Sequence, residues 1–314
     1  MAATLSQVPV LKTKAQNLTT DLDLTVQELS DLLDLASHVK ANPRRYSNSL
    51  TGRYVSLLFE KPSLRTRFTF ELAIKHLGGD AVTSIGPVGE REPLKDIARN
   101  LERWTNAIVA RTFSQATIDA LAHWASVPVI NALSDLYHPC QALADMQTLR
   151  EHFGNDLRNR RLCFVGDGNN VSHSLMLCAV RLGMHYSIAT PVGYAPDSSV
   201  VAEANRLCAS GATVSIGNDP HAAARNADAI YTDVWASMGQ ESEAAARDQS
   251  FRPYQVNLEL MASASRDCLF MHCLPAHRGD EVTDDVIESA NSVVFNQAEN
   301  RLHAQKALLL MLVD

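Results

Sequence analysis

Hydrophobic positions along the chain fall into two alternating patterns. Leu29, Leu32, Leu33, Leu35 and Ala36 recur at helical spacing behind Thr25-Val26-Gln27-Glu28, a capping box. This helix is predicted to stop near Asn42-Pro43, because the residue before a proline disfavours helical angles. Tyr54–Phe59 reads as a short buried strand, and the stretch from Ser63 to Gly78-Gly79 as a helix. Short apolar runs then predict strands at Ala107–Ala110, Val127–Ile130, Arg161–Val165, His185–Ala189, Thr213–Ile216, Ala229–Thr232, Cys268–Met271 and Ser292–Phe295. Helices are predicted to begin near Pro93, Gln115, Tyr137, Val171, Asp197, Asp219, Asn257, Thr283 and Ala298.

Short apolar strands alternating with helices imply βαβ units, hence parallel sheets covered on both faces. The strands are too many for one comfortable sheet, and His152-Phe153-Gly154-Asn155-Asp156 interrupts the alternation. The expected fold class is therefore α/β, with two doubly wound parallel-sheet domains, residues 1–150 and 151–297. A (β/α)₈ barrel fits the alternation but not the interruption. In open α/β sheets ligands bind beyond the carboxyl ends of the strands, and the polar motifs fall there.

Composition narrows the function classes. Twenty-eight Lys+Arg against 35 Asp+Glu give a net charge of −7, and 46 % of the 314 residues are apolar. This is globular composition without the basic footprint of a nucleic-acid binder. The longest apolar run, Ala307–Val313, is too short to span a membrane. Residues 1–20 carry only Lys12 and Lys14 as charges and no apolar signal segment, so a short disordered tail and a cytoplasmic protein are expected. Six cysteines without a C-x-x-C pair suggest reduced thiols rather than a disulfide framework.

Six motifs carry chemistry. Glu60-Lys61-Pro62-Ser63-Leu64-Arg65-Thr66-Arg67 follows a strand and opens a helix. Unpaired helix N–H groups, hydroxyls and a guanidinium suit an anion such as phosphate; the alternative is a capped surface helix with solvated arginines. In His138-Pro139-Cys140-Gln141, His138 and Gln141 share a helical face and can grip a carbonyl oxygen and an NH₂ group together. A plain helix start with Pro139 at its first position is the alternative, and no third ligand is spaced for a metal with His138 and Cys140. Gly166-Asp167-Gly168-Asn169-Asn170-Val171 imitates a dinucleotide turn, but Val171 replaces the third glycine and no acid follows near Ala189-Thr190-Pro191. Asp233 suits a ligand ammonium, and Ser237 a carboxylate, or the segment is an ordinary polar loop. Cys273, in His272-Cys273-Leu274-Pro275, could be nucleophile, metal ligand or polar wall. Arg301 opens the last helix and by default is a surface charge.

Together, Ser63-Leu64-Arg65-Thr66-Arg67, His138-Pro139-Cys140-Gln141, Asp233 with Ser237-Met238-Gly239, and His272-Cys273-Leu274-Pro275 resemble the aspartate/ornithine carbamoyltransferase family from about Asn17 onward. The Ser-Met-Gly and His-Cys-Leu-Pro pieces point to its ornithine branch. The resemblance implies an N-terminal carbamoyl-phosphate domain, a C-terminal amino-acid domain, and a last helix (about 298–314) that packs back on the first. It implies transfer of the carbamoyl group of carbamoyl phosphate to the side-chain amine of L-ornithine, giving L-citrulline and phosphate, in arginine metabolism. Ser63, Leu64, Arg65, Thr66, Arg111, His138, Gln141 and Arg301 would hold carbamoyl phosphate. Asn170, Asp233, Ser237 and Met238 would hold ornithine. Cys273 and Leu274 would lie between the two ligands, and Arg111, His138 and Cys273 would act in catalysis. Neither cofactor nor metal is implied, and trimers or multiples of trimers are. Two departures stand out: Leu64 replaces a common threonine, and the segment Ile85–Glu92 is short where the family reaches a neighbouring subunit. Rival substrates are an N-acylornithine or putrescine. The rival from another class is a non-catalytic binding or regulatory protein on the same fold.

Overall fold

The computed structural model describes residues 12–209, 211–236 and 243–313. They divide into two compact units, Met1–Ser134 with Arg301–Asp314, and Asp135–Asn300.

Unit 1 opens with helix α1 (Val26–Ala41), and its capping box forms as the sequence predicts. The Thr25 side chain accepts from the Glu28 N–H, and Glu28 Oε2 accepts from the Thr25 N–H at 2.8 Å. Glu28 Oε1 also accepts from the Lys14 N–H at 2.7 Å and the Thr13 hydroxyl at 2.8 Å. Burial pushes the Glu28 carboxyl up, but these hydrogen bonds outweigh it and hold it well below the usual range, at about 2. A depressed carboxyl contributes stability above its ordinary value and loses it as pH falls through the folded value. Glu28→Gln is therefore expected to cost about 1–2 kcal/mol at pH 7. The gap to wild type should close between about pH 5 and pH 2, read as urea midpoints across pH.

The unit 1 sheet joins β1 (Tyr54–Phe59), β2 (Asp80–Ile85), β3 (Ala107–Arg111) and β4 (Val129–Leu133) in the order β2-β1-β3-β4, all parallel. Between them run α2 (Leu64–His76), α3 (Leu94–Trp104) and α4 (Gln115–Trp124). Leu58, Ile108, Ala110, Ile118 and Leu121 pack into one core cluster. Helix α2 buries Thr66, Phe70, Ala73 and Ile74, and stops where Gly78 turns to φ 87 against the Ser47 carbonyl, room only a glycine has.

Unit 2 begins with α5 (Pro139–Phe153). Its sheet joins β5 (Arg161–Val165), β6 (His185–Ala189), β7 (Val214–Gly217), β8 (Ala229–Thr232) and β9 (Leu269–His272) in the order β7-β6-β5-β8-β9, again all parallel. The helices are α6 (Asn170–Arg181), α7 (Ser198–Leu207), α8 (Pro220–Ala224), α9 (Ala244–Phe251), α10 (Leu258–Met261), α11 (Asp284–Ile287) and α12 (Val294–Leu312). Val165, Ile230, Val256, Phe270 and Val282 form the core beneath them. Residues of α12 from Arg301 onward belong to unit 1.

Two open parallel sheets exclude the barrel. Several elements depart from the sequence reading. Strand β2 was not expected: it is an edge strand, largely exposed, and lacks the continuous apolar run of a buried strand. Helix α9 carries no strong apolar stripe and was likewise not expected. The predicted strand Ser292–Phe295 reduces to one bridge, Phe270 to Ser292, and α12 begins at Val294 instead of Ala298. A four-residue apolar run cannot by itself distinguish strand from helix. Strand β4 starts two residues late, after Pro128, which has no N–H for the ladder. Helix α5 lies in unit 2, where its side chains are tied to later residues, Asp145 to Gln297 and Thr148 to Asn300.

Candidate active site

In each sheet the strand order reverses once, between β1 and β3 in unit 1 and between β5 and β8 in unit 2. At such a switch point adjacent loops leave in opposite directions and open a crevice at the carboxyl ends. The candidate residues sit at these ends.

In unit 1, Ser63 is the N-cap of α2 but its side chain makes no capping bond. The Leu64 side chain is 68 % exposed, so this position offers an anion only its backbone N–H. Arg65 is partly buried and Thr66 fully so. Thr66 Oγ1 accepts from Arg301 Nη2 at 2.6 Å and lies 3.4 Å from Arg111 Nη1. Arg111 ends β3 where its pairing with β4 slips by a residue, which turns the chain at that point. Arg111 and Arg301 are 9 % and 3 % exposed. Two buried guanidiniums thus converge on one hydroxyl at a helix N-terminus, a concentration of positive charge that an anion would neutralise.

In unit 2, three loops bring groups together. After β5, Gly168 passes so close to Ala195-Pro196 that a side chain would overlap the Pro196 backbone. Asn169 then caps α6, accepting from the Val171 and Ser172 N–H groups, and Asn170 is the first helical residue. Asn169 Nδ2 donates to Asp233 Oδ2 at 2.9 Å. The other oxygen of Asp233 accepts from Cys273 Sγ at 3.0 Å and from the Val234 N–H at 2.8 Å. The loops after β5, β8 and β9 therefore meet on one carboxylate. Leu274 adopts φ 57 and precedes a cis bond to Pro275. Ser237 and Met238 lie outside the described residues, as do residues 1–11 of the expected N-terminal tail; the later part of residues 1–20 is ordered instead, with Leu18 buried and its N–H donating to the Val129 carbonyl at 2.9 Å.

Further groups hold these in place. The His138 N–H donates to Ser174 Oγ at 2.9 Å. His173 donates from Nδ1 to the Leu136 carbonyl and accepts at Nε2 from the Asp197 N–H, both at 2.9 Å. That pairing fixes a neutral tautomer, and burial holds its pKa down. Arg247 Nη1 donates to Asp167 Oδ2 at 2.7 Å and to the Trp235 carbonyl at 3.0 Å. Burial pushes the Asp167 carboxyl up, and Arg247 works against it.

Asp233, His272 and Cys273 each place a potential ligand atom within 4.8 Å of one another. His272 has no nitrogen to spare, however. Its Nδ1 accepts from the Leu274 N–H at 2.8 Å, and its Nε2 donates to Glu281 at 3.2 Å. The trio fits a hydrogen-bond cluster better than a metal centre. Sequence reasoning missed Ser174, Arg247 and Gln297, whereas Asn169 lies in the strand-to-helix turn singled out as offering asparagine side chains to a polar ligand. Its capping role was legible too, in an asparagine immediately before a helical pattern.

A family model described as aspartate/ornithine carbamoyltransferase, carbamoyl-P binding domain, matches residues 16–151, and one described as the Asp/Orn binding domain matches 158–312. The chain belongs to the aspartate/ornithine carbamoyltransferase family. Carbamoyltransferases of high similarity span nearly all of it. An ornithine carbamoyltransferase of Shewanella oneidensis is 51 % identical over 92 % of this chain and 97 % of its own. One of Anoxybacillus flavithermus is 46 % identical over 98 % of this chain and all of its own. The solved ornithine carbamoyltransferase from Pyrococcus furiosus superposes with a TM-score of 0.92 at 47 % identity, covering 95 % of this chain and 97 % of that one. An acetylornithine transcarbamylase complexed with acetylcitrulline superposes at 0.85 with 31 % identity, covering 95 % of this chain and 99 % of that one. No helix among the described residues is long and apolar enough to cross a membrane.

Proposed function

We propose that the protein transfers the carbamoyl group of carbamoyl phosphate to the side-chain amine of L-ornithine, yielding L-citrulline and phosphate within arginine metabolism. The observation that carries this reading is the convergence of Arg111 and Arg301 on Thr66 at the start of α2. Ser63, Leu64, Arg65 and Thr66 bind the phosphate through hydroxyls, a guanidinium and backbone N–H groups, joined by Arg111 and Arg301. His138 and Gln141 hold the carbamoyl group. Asn170, Asp233, Ser237 and Met238 bind ornithine, and Cys273 and Leu274 line the path between the two substrates.

The ornithine amine attacks the carbamoyl carbon, forming the C–N bond, and the C–O bond to phosphate breaks with its electron pair leaving on phosphate. An alkyl ammonium has a pKa of about 10.4, so it must lose a proton before attack. Asp233 and Cys273 position the amine for that loss, and the departing phosphate accepts a proton. Arg111, His138 and the Thr66 hydroxyl stabilise the oxygen that gains charge in the transition state. Phosphate is a good leaving group, and the roles above need no metal.

The protein acts in the cytoplasm as a trimer or a multiple of trimers. None of the six cysteines, all among the described residues, is in a disulfide, and burial pushes Cys163 and Cys268 up to about 12, as suits inert thiols in a reducing compartment. Self-association is supported by exposed apolar groups on unit 1: Leu64, Phe68 and Leu72 in one stripe of α2, with Ile85 at the end of the edge strand β2.

The test is incubation with carbamoyl phosphate and, in parallel, ornithine, N-acetylornithine, N-succinylornithine, putrescine or aspartate. Ureido product from ornithine alone is expected. Turnover of another amine with ornithine inert would overturn the ornithine assignment, and no turnover with any amine would favour a binding protein.

A further inference from the structure

A buried relay runs through unit 2 behind Gln141. Asp145, one turn further along α5, is fully buried. A single oxygen, Asp145 Oδ1, lies 2.8 Å from Gln141 Nε2 and 2.7 Å from Gln297 Nε2. Gln297 Oε1 in turn accepts from the His272 N–H at 3.0 Å. Chemistry fixes both amides. A backbone N–H only donates, so Gln297 must point its oxygen at His272 and its NH₂ at Asp145. One carboxylate oxygen then accepts from two amide groups, so Gln141 must spend its NH₂ there as well. Gln141 Oε1 is left facing the other way, buried and without a hydrogen-bond partner among the described residues. A buried acceptor without a partner costs free energy until a ligand donates to it.

We infer that Asp145, braced by Gln297, is a specificity-determining positioning residue that locks Gln141 as an acceptor, so that the acyl group of the phosphorylated donor must carry an N–H. This rests on the reading of Gln141 as a carbamoyl ligand. Carbamoyl phosphate supplies the N–H. Acetyl phosphate has nearly the same shape, but it puts a methyl group against Gln141 Oε1 and strands it. Sites built to pair with a substrate N–H reject analogues lacking it far more strongly than apolar pockets reject a change of size.

The comparison is the Ki of acetyl phosphate against the KM of carbamoyl phosphate, with ornithine saturating. In wild type the two are expected to differ by about 10²-fold. In Asp145→Asn, a neutral amide oxygen accepts more weakly than the carboxylate and the new NH₂ competes for the shared position, so Gln141 is no longer held as an acceptor and the gap should narrow about tenfold. In a Gln141→Ala background, Asp145→Asn should leave the ratio unchanged, because its effect passes through Gln141. Gln297→Ala should move the ratio in the same direction. If Asp145→Asn does not fold, as judged by its thermal midpoint, Gln297→Ala in both backgrounds makes the same comparison. A ratio unmoved while kcat falls would reduce Asp145 to a structural role and overturn the inference, as would a shift that persists without Gln141. Absence of citrulline from the wild type would instead overturn the underlying reading.

Discussion

Replacing Arg111 by alanine is expected to lower kcat/KM for carbamoyl phosphate by about 10³–10⁴-fold. The magnitude follows from two duties on one side chain. In the proposed function Arg111 neutralises the phosphate and donates to the carbamoyl oxygen as that oxygen gains charge. Removing a single such donor typically costs about 10²–10³ in rate, and loss of the charge weakens ground-state binding as well. The fold should survive, because Thr66 Oγ1 keeps its 2.6 Å bond from Arg301 and the backbone of β3 is unaffected. Thermal midpoints measured beside the kinetics check this. Arg111→Lys should recover only part of the loss, since an ammonium is a point charge without the planar fork. Wild-type kinetics in Arg111→Ala would remove this residue from the reaction.

The second large effect is expected on the other substrate. Asp233→Asn should lower kcat/KM for ornithine by about 10²–10³-fold, the range set by losing one partner of a desolvated charge pair. Carbamoyl phosphate affinity should change little. The carboxylate collects donors from three loops, Asn169 after β5, Val234 after β8 and Cys273 after β9. An asparagine can keep some of these hydrogen bonds but cannot balance an ammonium. Initial rates with each substrate varied in turn separate the possibilities. Equal losses for both substrates would point to a general collapse of the loops, and no loss would place the ammonium elsewhere.

Legibility followed physical visibility. Strands β5, β6 and β8 could be bounded from sequence because central parallel strands are mostly apolar, with polar residues such as Arg161, His185 and Thr232 at their ends. Strand β2 could not, because an edge strand with both faces partly wet has no such run. The motif residues Thr66, Asp233 and Cys273 could be found because strand ends in α/β sheets are where polar runs stand out. Their supports could not. Gln297 is one of many buried amides in the chain, and nothing in its neighbours along α12 shows that it braces Asp145, 152 residues earlier. Arg301 was legible only through resemblance, since an arginine near the start of a helix is ordinarily a solvated charge. Its place at Thr66 depends on contacts 235 residues apart.

That last contact also bears on how the chain is made. Unit 1 is assembled from the first stretch of sequence and the final fourteen residues, with unit 2 encoded between them. At about 5–20 residues per second, the ribosome takes roughly 10–30 s to make the intervening part. During that interval unit 1 lacks the apolar end of α12, including Leu308, Leu309 and Leu310. It also lacks one of the two guanidiniums at Thr66. Unit 2 begins second but has all of its own sequence first. Vectorial synthesis thus implies an inverted order, in which the amino-acid half of the enzyme is complete before the half that begins the chain.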